Sequence, residues 1–262
     1  MKFLLAPIAW IYGFVVWLRN LLYDDHILHS TQVSIPTICV GNLAVGGTGK
    51  TPMAEYLISL LSSDYKVALL SRGYGRKTKG FRIANEHDTA QTIGDEPMQI
   101  HTHFPDIPVA VCADRVKGVK RLQQLYPDLQ CVILDDAYQH RKLRCGFYVL
   151  LTPYDCLYTN DHLLPWGRLR DLPNQSHRAN VVVVTKCPSQ MQPIDRRIVS
   201  NALHLASYQH LVYSSIGYAP IALNGTPLLV TGIANPLPLL EHLKAQCPDT
   251  ELLAFPDHHV FT

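Results

Sequence analysis

The sequence predicts an α/β protein: a mostly parallel sheet covered by helices, with a membrane-associated N-terminal helix ahead of it and a partial second α/β domain after it. Three observations predict this. Short continuous runs of Val, Ile and Leu alternate with amphipathic stretches, the pattern of strands buried on both faces between helices. One such run leads directly into a glycine-rich loop and then a helix, the arrangement that cradles phosphate and marks a P-loop core. Composition supplies the core: 47% of the 262 residues are hydrophobic and 17% are charged, which excludes a disordered chain.

The first element stands apart. No charge interrupts FLLAPIAWIYGFVVWL from Phe3 to Leu18, and Arg19 then precedes Leu21, Leu22 and Tyr23. That run falls just short of the roughly 20 apolar residues of a spanning helix. Lys2 ahead of it resembles the start of a secretory signal, but no A-x-A-like cleavage site follows. Trp10, Tyr12 and Trp17 suit a membrane interface. Residues 1–30 are therefore expected to lie on a membrane surface rather than to cross it. The alternative is a helix packed on the protein's own core.

Residues 31–207 carry the alternating pattern. Strands are predicted over Thr37–Val40, Lys66–Leu70, Ile107–Val111, Cys131–Leu134, Phe147–Leu151 and Val181–Thr185. Helices are predicted over Pro52–Leu61, Glu96–Thr102, Arg115–Leu125 and Ile194–Ala206. Between residues 208 and 225 the pattern weakens to Tyr208, Tyr213 and Tyr218, then Pro220 and an Asn224-Gly225 turn, which reads as a β-ribbon linker. A new strand opens at Leu228–Thr231 and a helix follows near Leu237–Lys244. Residues 226–262 are too few for an independent core, so this second domain is read as partial.

Ile38–Thr51, ICVGNLAVGGTGKT, holds the strongest chemical signal. Gly46, Gly47 and Gly49 let backbone N–H groups close around phosphate oxygens, and Ala44, Val45 and Thr48 complete the loop. Lys50 brings a cation to the β- and γ-phosphates, Thr51 a hydroxyl to Mg²⁺, and the helix that starts at Pro52 its positive end. The usual spacing puts glycine where this chain has Ala44, the smallest substitute. A second apolar strand ends in Asp135-Asp136, where a P-loop protein holds Mg²⁺. Thr185-Lys186-Cys187 lacks the Asn and Asp that read guanine, so the expected nucleotide is ATP.

Polar loops follow other strands. Arg72, Arg76, Arg115, Arg168 and Arg170 are placed to ring the phosphate loop and bind a second anionic group. Asp95, in Gly94-Asp-Glu-Pro97, opens a helix and is either a general base or an N-cap. A net charge of +2, from 23 basic and 21 acidic residues, gives no case for a nucleic-acid partner, and no protein partner is evident. Seven cysteines without a C-x-x-C pair read as reduced, mostly buried thiols.

With VGNLAVGGTGKTP, SRGYGR, GDEP, DDAYQHR, LLPWGRLRD and FPDHH in this order from Val40 to His259, the sequence resembles the tetraacyldisaccharide 4'-kinase family of lipid A biosynthesis. The resemblance implies transfer of the ATP γ-phosphate to the 4'-hydroxyl of a tetraacyldisaccharide 1-phosphate lipid. It places that reaction at the cytoplasmic face of a Gram-negative inner membrane, and the apolar N-terminus is similar to the family's membrane-associated start. It implies that Tyr74, Arg76, Arg115, Arg170 and Asp171 meet the lipid, with Asp171 standing where the family usually has glutamate. It favours Asp95 as catalytic base, and brings in a histidine of Asp257-His258-His259, with His258 preferred, to orient or tune it. The family chain also continues beyond the F-x-D-H-H segment. Two other classes fit the nucleotide loop: a membrane-attached ATPase driving a partner, and a nucleotide sensor without turnover.

Overall fold

The structure is a computed structural model that describes residues 5–218, 225–233 and 235–256. The chain divides into two compact units, Met1–Ser215 and Ile216–Thr262. In the first unit the elements run α1 (Ala6–Asp24), β1 (Thr31–Gln32), β2 (Thr37–Asn42), α2 (Lys50–Leu61), β3 (Val67–Ser71), β4 (Arg82–Ile83), α3 (Ala90–Ile93) and α4 (Asp95–His103). They continue as β5 (Val109–Val111), α5 (Arg115–Leu125), β6 (Cys131–Asp135), β7 (Leu143–Arg144), β8 (Phe147–Pro153), β9 (Val181–Cys187), α6 (Pro193–Leu203) and β10 (His210–Ser215).

Eight of these strands form one sheet in the order β10-β9-β8-β2-β6-β3-β5-β4, parallel throughout except for β4 against β5. The central strands are apolar on both faces, as a doubly covered parallel sheet requires. Cys39, Leu70, Leu134 and Val182 pack on one face with Val116, Val119 and Leu122 of α5. Their neighbours Val40, Leu69, Ile133 and Val183 pack on the other with Ala54 and Ile58 of α2 and Ile100 of α4. Strand order reverses at β2, with β6, β3 and β5 on one side and β8, β9 and β10 on the other. In such sheets the crevice beyond the carboxyl ends at the reversal is where ligands bind.

All six sequence-predicted core strands are present, several one or two residues longer at their carboxyl ends. The 208–225 segment departs from its reading: His210–Ser215 is no ribbon but a parallel edge strand on β9. Its burial alternates along the strand, because an edge strand against one neighbour can carry polar side chains outward. Asp95 is not the N-cap of α4; Gly94 occupies that position and Asp95 is the first helical residue.

Helix α1 has its faces reversed relative to an ordinary amphipathic helix. Ala9, Gly13, Val16 and Asn20, at spacings of four, three and four, face the protein and are buried. Gly13 lets α1 lie close to Leu163, whose Cδ1 would have to shift from a Cβ at 2.8 Å. The large apolar residues Ile8, Trp10, Ile11, Phe14, Val15 and Trp17 point outward, with Trp10 73% exposed. Both sequence readings of this segment therefore have a counterpart, docking on one face and a bare apolar surface on the other. Among the described residues no helix is long and apolar enough to cross a membrane.

The second unit contains β11 (Leu228–Thr231), α7 (Leu237–Gln246) and β12 (Glu251–Ala254), with β11 and β12 paired in parallel through the α7 crossover. Among the described residues this unit is a β-α-β element. Asp257, His258 and His259 lie outside the described residues.

Candidate active site

The phosphate loop leaves β2 at Asn42 and enters α2 at Lys50. Gly46 and Gly49 take φ of 102° and 86°, backbone that a side chain would strain, so the glycines are a geometric need. Thr48 is pinned from both sides: its hydroxyl accepts from Asn42 Nδ2 at 2.6 Å, and its carbonyl accepts from the Thr185 hydroxyl at 2.9 Å. Lys186 Nζ donates to the Gly47 carbonyl at 2.5 Å. Residues 185 and 186, read in the sequence only for what they lack, thus hold the loop from β9. The near arm of the loop pairs with the 161–171 segment: Val45 N donates to Arg168 O at 2.8 Å, and Arg170 N to Leu43 O at 2.8 Å.

Beside the loop lies the acid pair. Asp135, at the end of β6 next to β2, is fully buried and neither carboxylate oxygen has a hydrogen-bond partner. Burial first, then the charges of Glu96 and Asp136, push its carboxyl up to about 7 against the pull of Lys50 and Arg115. A buried carboxylate with no donor, aimed among acids near the phosphate loop, is the environment a divalent cation stabilises. With the Thr51 hydroxyl on the first turn of α2, this donor set fits Mg²⁺. Among the described residues no cluster of three acidic, Cys or His side chains could hold a metal alone, so phosphate and water would have to supply the remaining ligands.

Asp136 has another bond set. It accepts both Arg170 Nη1, at 3.1 Å, and Arg170 Nη2, and Lys50 Nζ lies 3.9 Å away. Burial raises its carboxyl, but Arg170, Lys50 and Arg115 outweigh that and hold it below the ordinary value. It is a charge partner for two cations, with both oxygens already taken by Arg170. The backbone at Asp136 has φ of 47°, an uncommon left-handed turn for a residue other than glycine.

The arginines divide. Arg115 is buried, donating to the carbonyls of Cys112 and Ala113 at 3.0 and 3.2 Å, and the charge of Arg72 bears on it. Arg170 forks onto Asp136 and reaches Asn42 Oδ1 at 2.5 Å. The contacts of the other two are local: Arg76 Nη2 to Gly80 O at 2.6 Å, and Arg168 Nε to Asp161 at 3.1 Å. Tyr74, 84% exposed, stands on the turn against which Gly94 packs, 3.0 Å from the Tyr74 carbonyl to a Cβ built there. Asp95 follows, exposed, and Glu96 next to it is close enough to act on Asp135. Glu96 was not singled out from the sequence, although it sits in the same four-residue motif.

Asp171 departs from the expected contact with lipid. Only 1% exposed, it accepts Asn20 Nδ2 at 2.8 Å and the Leu172 amide at 2.9 Å, with Arg178 at 3.8 Å. Its carboxylate anchors the loop to α1 and does not face outward. The helix holds neighbouring groups as well: Tyr12 Oη donates to Arg170 O at 2.9 Å, Arg19 Nη2 to Gln139 O at 2.7 Å, and Arg141 Nη2 reaches Asp24 at 2.6 Å.

The family model for tetraacyldisaccharide-1-P 4'-kinase matches residues 1–262. Tetraacyldisaccharide 4'-kinase of Bacteroides thetaiotaomicron is 46% identical over 98% of this chain and 74% of that protein. The Flavobacterium johnsoniae protein of the same name is 45% identical over 99% and 79%. Among solved structures, LpxK from Aquifex aeolicus in complex with ATP superposes with a TM-score of 0.79 at 28% identity, covering 100% of this chain and 84% of that one. Sequence and fold thus agree from the first helix to the second unit, and the chain belongs to the tetraacyldisaccharide-1-P 4'-kinase family.

Proposed function

We propose that the chain is an ATP-dependent lipid kinase that phosphorylates the 4'-hydroxyl of a tetraacyldisaccharide 1-phosphate at a membrane surface, the cytoplasmic face of a Gram-negative inner membrane. The observation that carries this reading is the convergence of Lys50, Asp135, Asp136 and Arg170 on a glycine-rich loop at the sheet's reversal point. The loop amides and Lys50 bind the β- and γ-phosphates and hold the transferring group in line. Thr51 and Asp135 would hold Mg²⁺, which when bound neutralises charge between the β- and γ-phosphates. Asp136 orients Lys50 and Arg170 rather than binding the ion directly. Arg170, Arg115 and Arg72 supply positive charge for the anionic acceptor, and Tyr74 and Arg76 border its approach. Asp171 acts through the position of Arg170.

Asp95 is the proposed base, a reading supported by its exposed carboxylate at the first turn of α4 beside Glu96. His258 is kept as a catalytic candidate on the family resemblance alone. The proposed division is an N-terminal helix over 1–30, a kinase core from residue 31 and a smaller second α/β part toward the end of the chain; the two compact units, Met1–Ser215 and Ile216–Thr262, support a boundary near residue 215 rather than 207. The outward face of α1 rests on the bilayer, its Trp10 and Trp17 at headgroup level.

The rival ATPase reading is tested by supplying [γ-³²P]ATP with and without the lipid. A kinase labels the lipid and releases ADP only in its presence; an ATPase releases phosphate regardless.

A further inference from the structure

Docking of α1 and the shape of the phosphate loop meet at one side chain. Asn42, the last residue of β2, is completely buried, and all its polar side-chain atoms are used. Its Nδ2 donates to the Thr48 hydroxyl inside the loop, its Oδ1 accepts from Arg170, and its carbonyl accepts Gln139 Nε2 at 2.8 Å. The last two partners are each gripped by α1, through Tyr12 on the Arg170 carbonyl and Arg19 on the Gln139 carbonyl. Tyr12 and Arg19 are seven residues apart, two turns along one stripe of the helix, so a single docking pose makes both bonds. A carboxamide offers a donor and an acceptor at fixed separation, and a buried one with both ends engaged cannot turn without losing a bond.

We infer that Asn42 is a positioning residue that ties the docking of the N-terminal helix to the geometry of the phosphate loop and of Arg170. The helix then does two jobs with two faces: the outward face meets the bilayer, while the inward stripe sets the reacting groups. Tyr12→Phe separates them, because it removes one inward hydroxyl and leaves every outward apolar side chain in place. The inference rests on the kinase reading for its kinetic arm only.

The test uses the full chain in two measurements. The first is steady-state phosphate transfer to the tetraacyl disaccharide 1-phosphate in mixed micelles, with ATP and lipid each varied. The second is hydrogen exchange of the protein without ligand. Tyr12→Phe is expected to lower kcat by about threefold to tenfold, the loss of one hydrogen bond, with the KM for ATP and vesicle binding unchanged. Exchange should rise over residues 42–49 as well as over 168–172. Asn42→Ala should lower kcat further, and the double variant should fall no lower than Asn42→Ala alone, since both act at one junction. Wild-type kcat in Tyr12→Phe, faster exchange confined to α1 and 168–172, or losses that multiply in the double variant would each overturn the inference. Should Asn42→Ala fail to fold, Tyr12→Phe decides by itself. Should the wild type label no lipid, the kinase reading falls, and the exchange comparison still decides the role of Asn42.

Discussion

Arg170→Ala removes the guanidinium that bridges Asp136 and Asn42. It takes away two charge-assisted bonds to one carboxylate and one to a buried amide, and leaves Asp136 with Lys50 at 3.9 Å as its remaining ion pair. Breaking a buried pair by deleting one partner costs about 3–5 kcal/mol. Here the two side chains keep 22% and 31% exposure, so solvent offsets part of that and about 2–3 kcal/mol remains. That cost is read as lost folding stability; separately, losing one charged contact to the acceptor, about 1.5–3 kcal/mol, should lower kcat/KM for the lipid by roughly 10- to 150-fold. Lys50 stays in place to bind phosphate, so the KM for ATP should change far less. Arg170→Lys restores the charge but not the fork, because an ammonium cannot reach Asp136 and Asn42 at once, and should recover less than about half of the lost free energy. Initial rates of labelled phosphate transfer, with each substrate varied, read the effect, and urea unfolding checks that the variants are folded. Wild-type kcat/KM for the lipid in folded Arg170→Ala, or equal changes in the two KM values, would refute this reasoning.

Lys50→Ala should reduce kcat by about 10²- to 10³-fold, the scale for losing one transition-state cation or donor, with native far-UV circular dichroism; a wild-type kcat would mean the loop is misassigned. Asp95→Ala should lose orders of magnitude in kcat while still binding ATP, and near-normal turnover would remove it as the base. Replacing Trp10, Phe14 and Trp17 together by Ser should weaken vesicle binding by more than about 100-fold, at about 1.5–3 kcal/mol per large apolar side chain withdrawn from lipid, and leave ATP binding intact; unchanged sedimentation with vesicles would move the membrane surface elsewhere. His140 gives a pH test: burial first, then Arg115, push its imidazole down to about 4. The folded protein therefore binds fewer protons there than the unfolded chain, whose imidazole titrates at about 6.5. Its contribution is complete above about pH 6.5 and is lost as pH falls through about 4, so urea midpoints should drop less steeply between those values in His140→Gln than in wild type; parallel slopes would contradict the shift.

The sheet was legible because its strands are continuous Val, Ile and Leu runs, a pattern that burial on both faces enforces. What the pattern hid is where each strand stops. Asn42 and Asp135 are polar and end β2 and β6, so apolarity alone stops short of the residues at the strands' carboxyl ends, beside the phosphate loop. His210–Ser215 was missed as a core strand for a related reason, its edge position permitting polar side chains that break the run. The two-residue strands β1, β4 and β7 carry no periodicity to detect. In the candidate site, the loop from Ala44 to Thr51 and the acid pair stand out in the sequence because phosphate chemistry calls for residue types at fixed spacing, but the engagement of Asp136 by Arg170 does not. The inward turn of Asp171 and the junction at Asn42 could not, since each depends on partners 151 and 128 residues away. Helix α1 did carry a usable signal: Ala9, Gly13, Val16 and Asn20 at alternating four and three spacing mark the docked stripe, and the large apolar residues mark the face left bare.

The most direct test of the central claim is γ-phosphate transfer from [γ-³²P]ATP to a tetraacyldisaccharide 1-phosphate presented in mixed micelles. The account predicts a labelled lipid bearing one new phosphate on the 4'-hydroxyl, with ADP formed in equal amount and almost none formed without lipid. Lipid-independent phosphate release with no labelled lipid would contradict it.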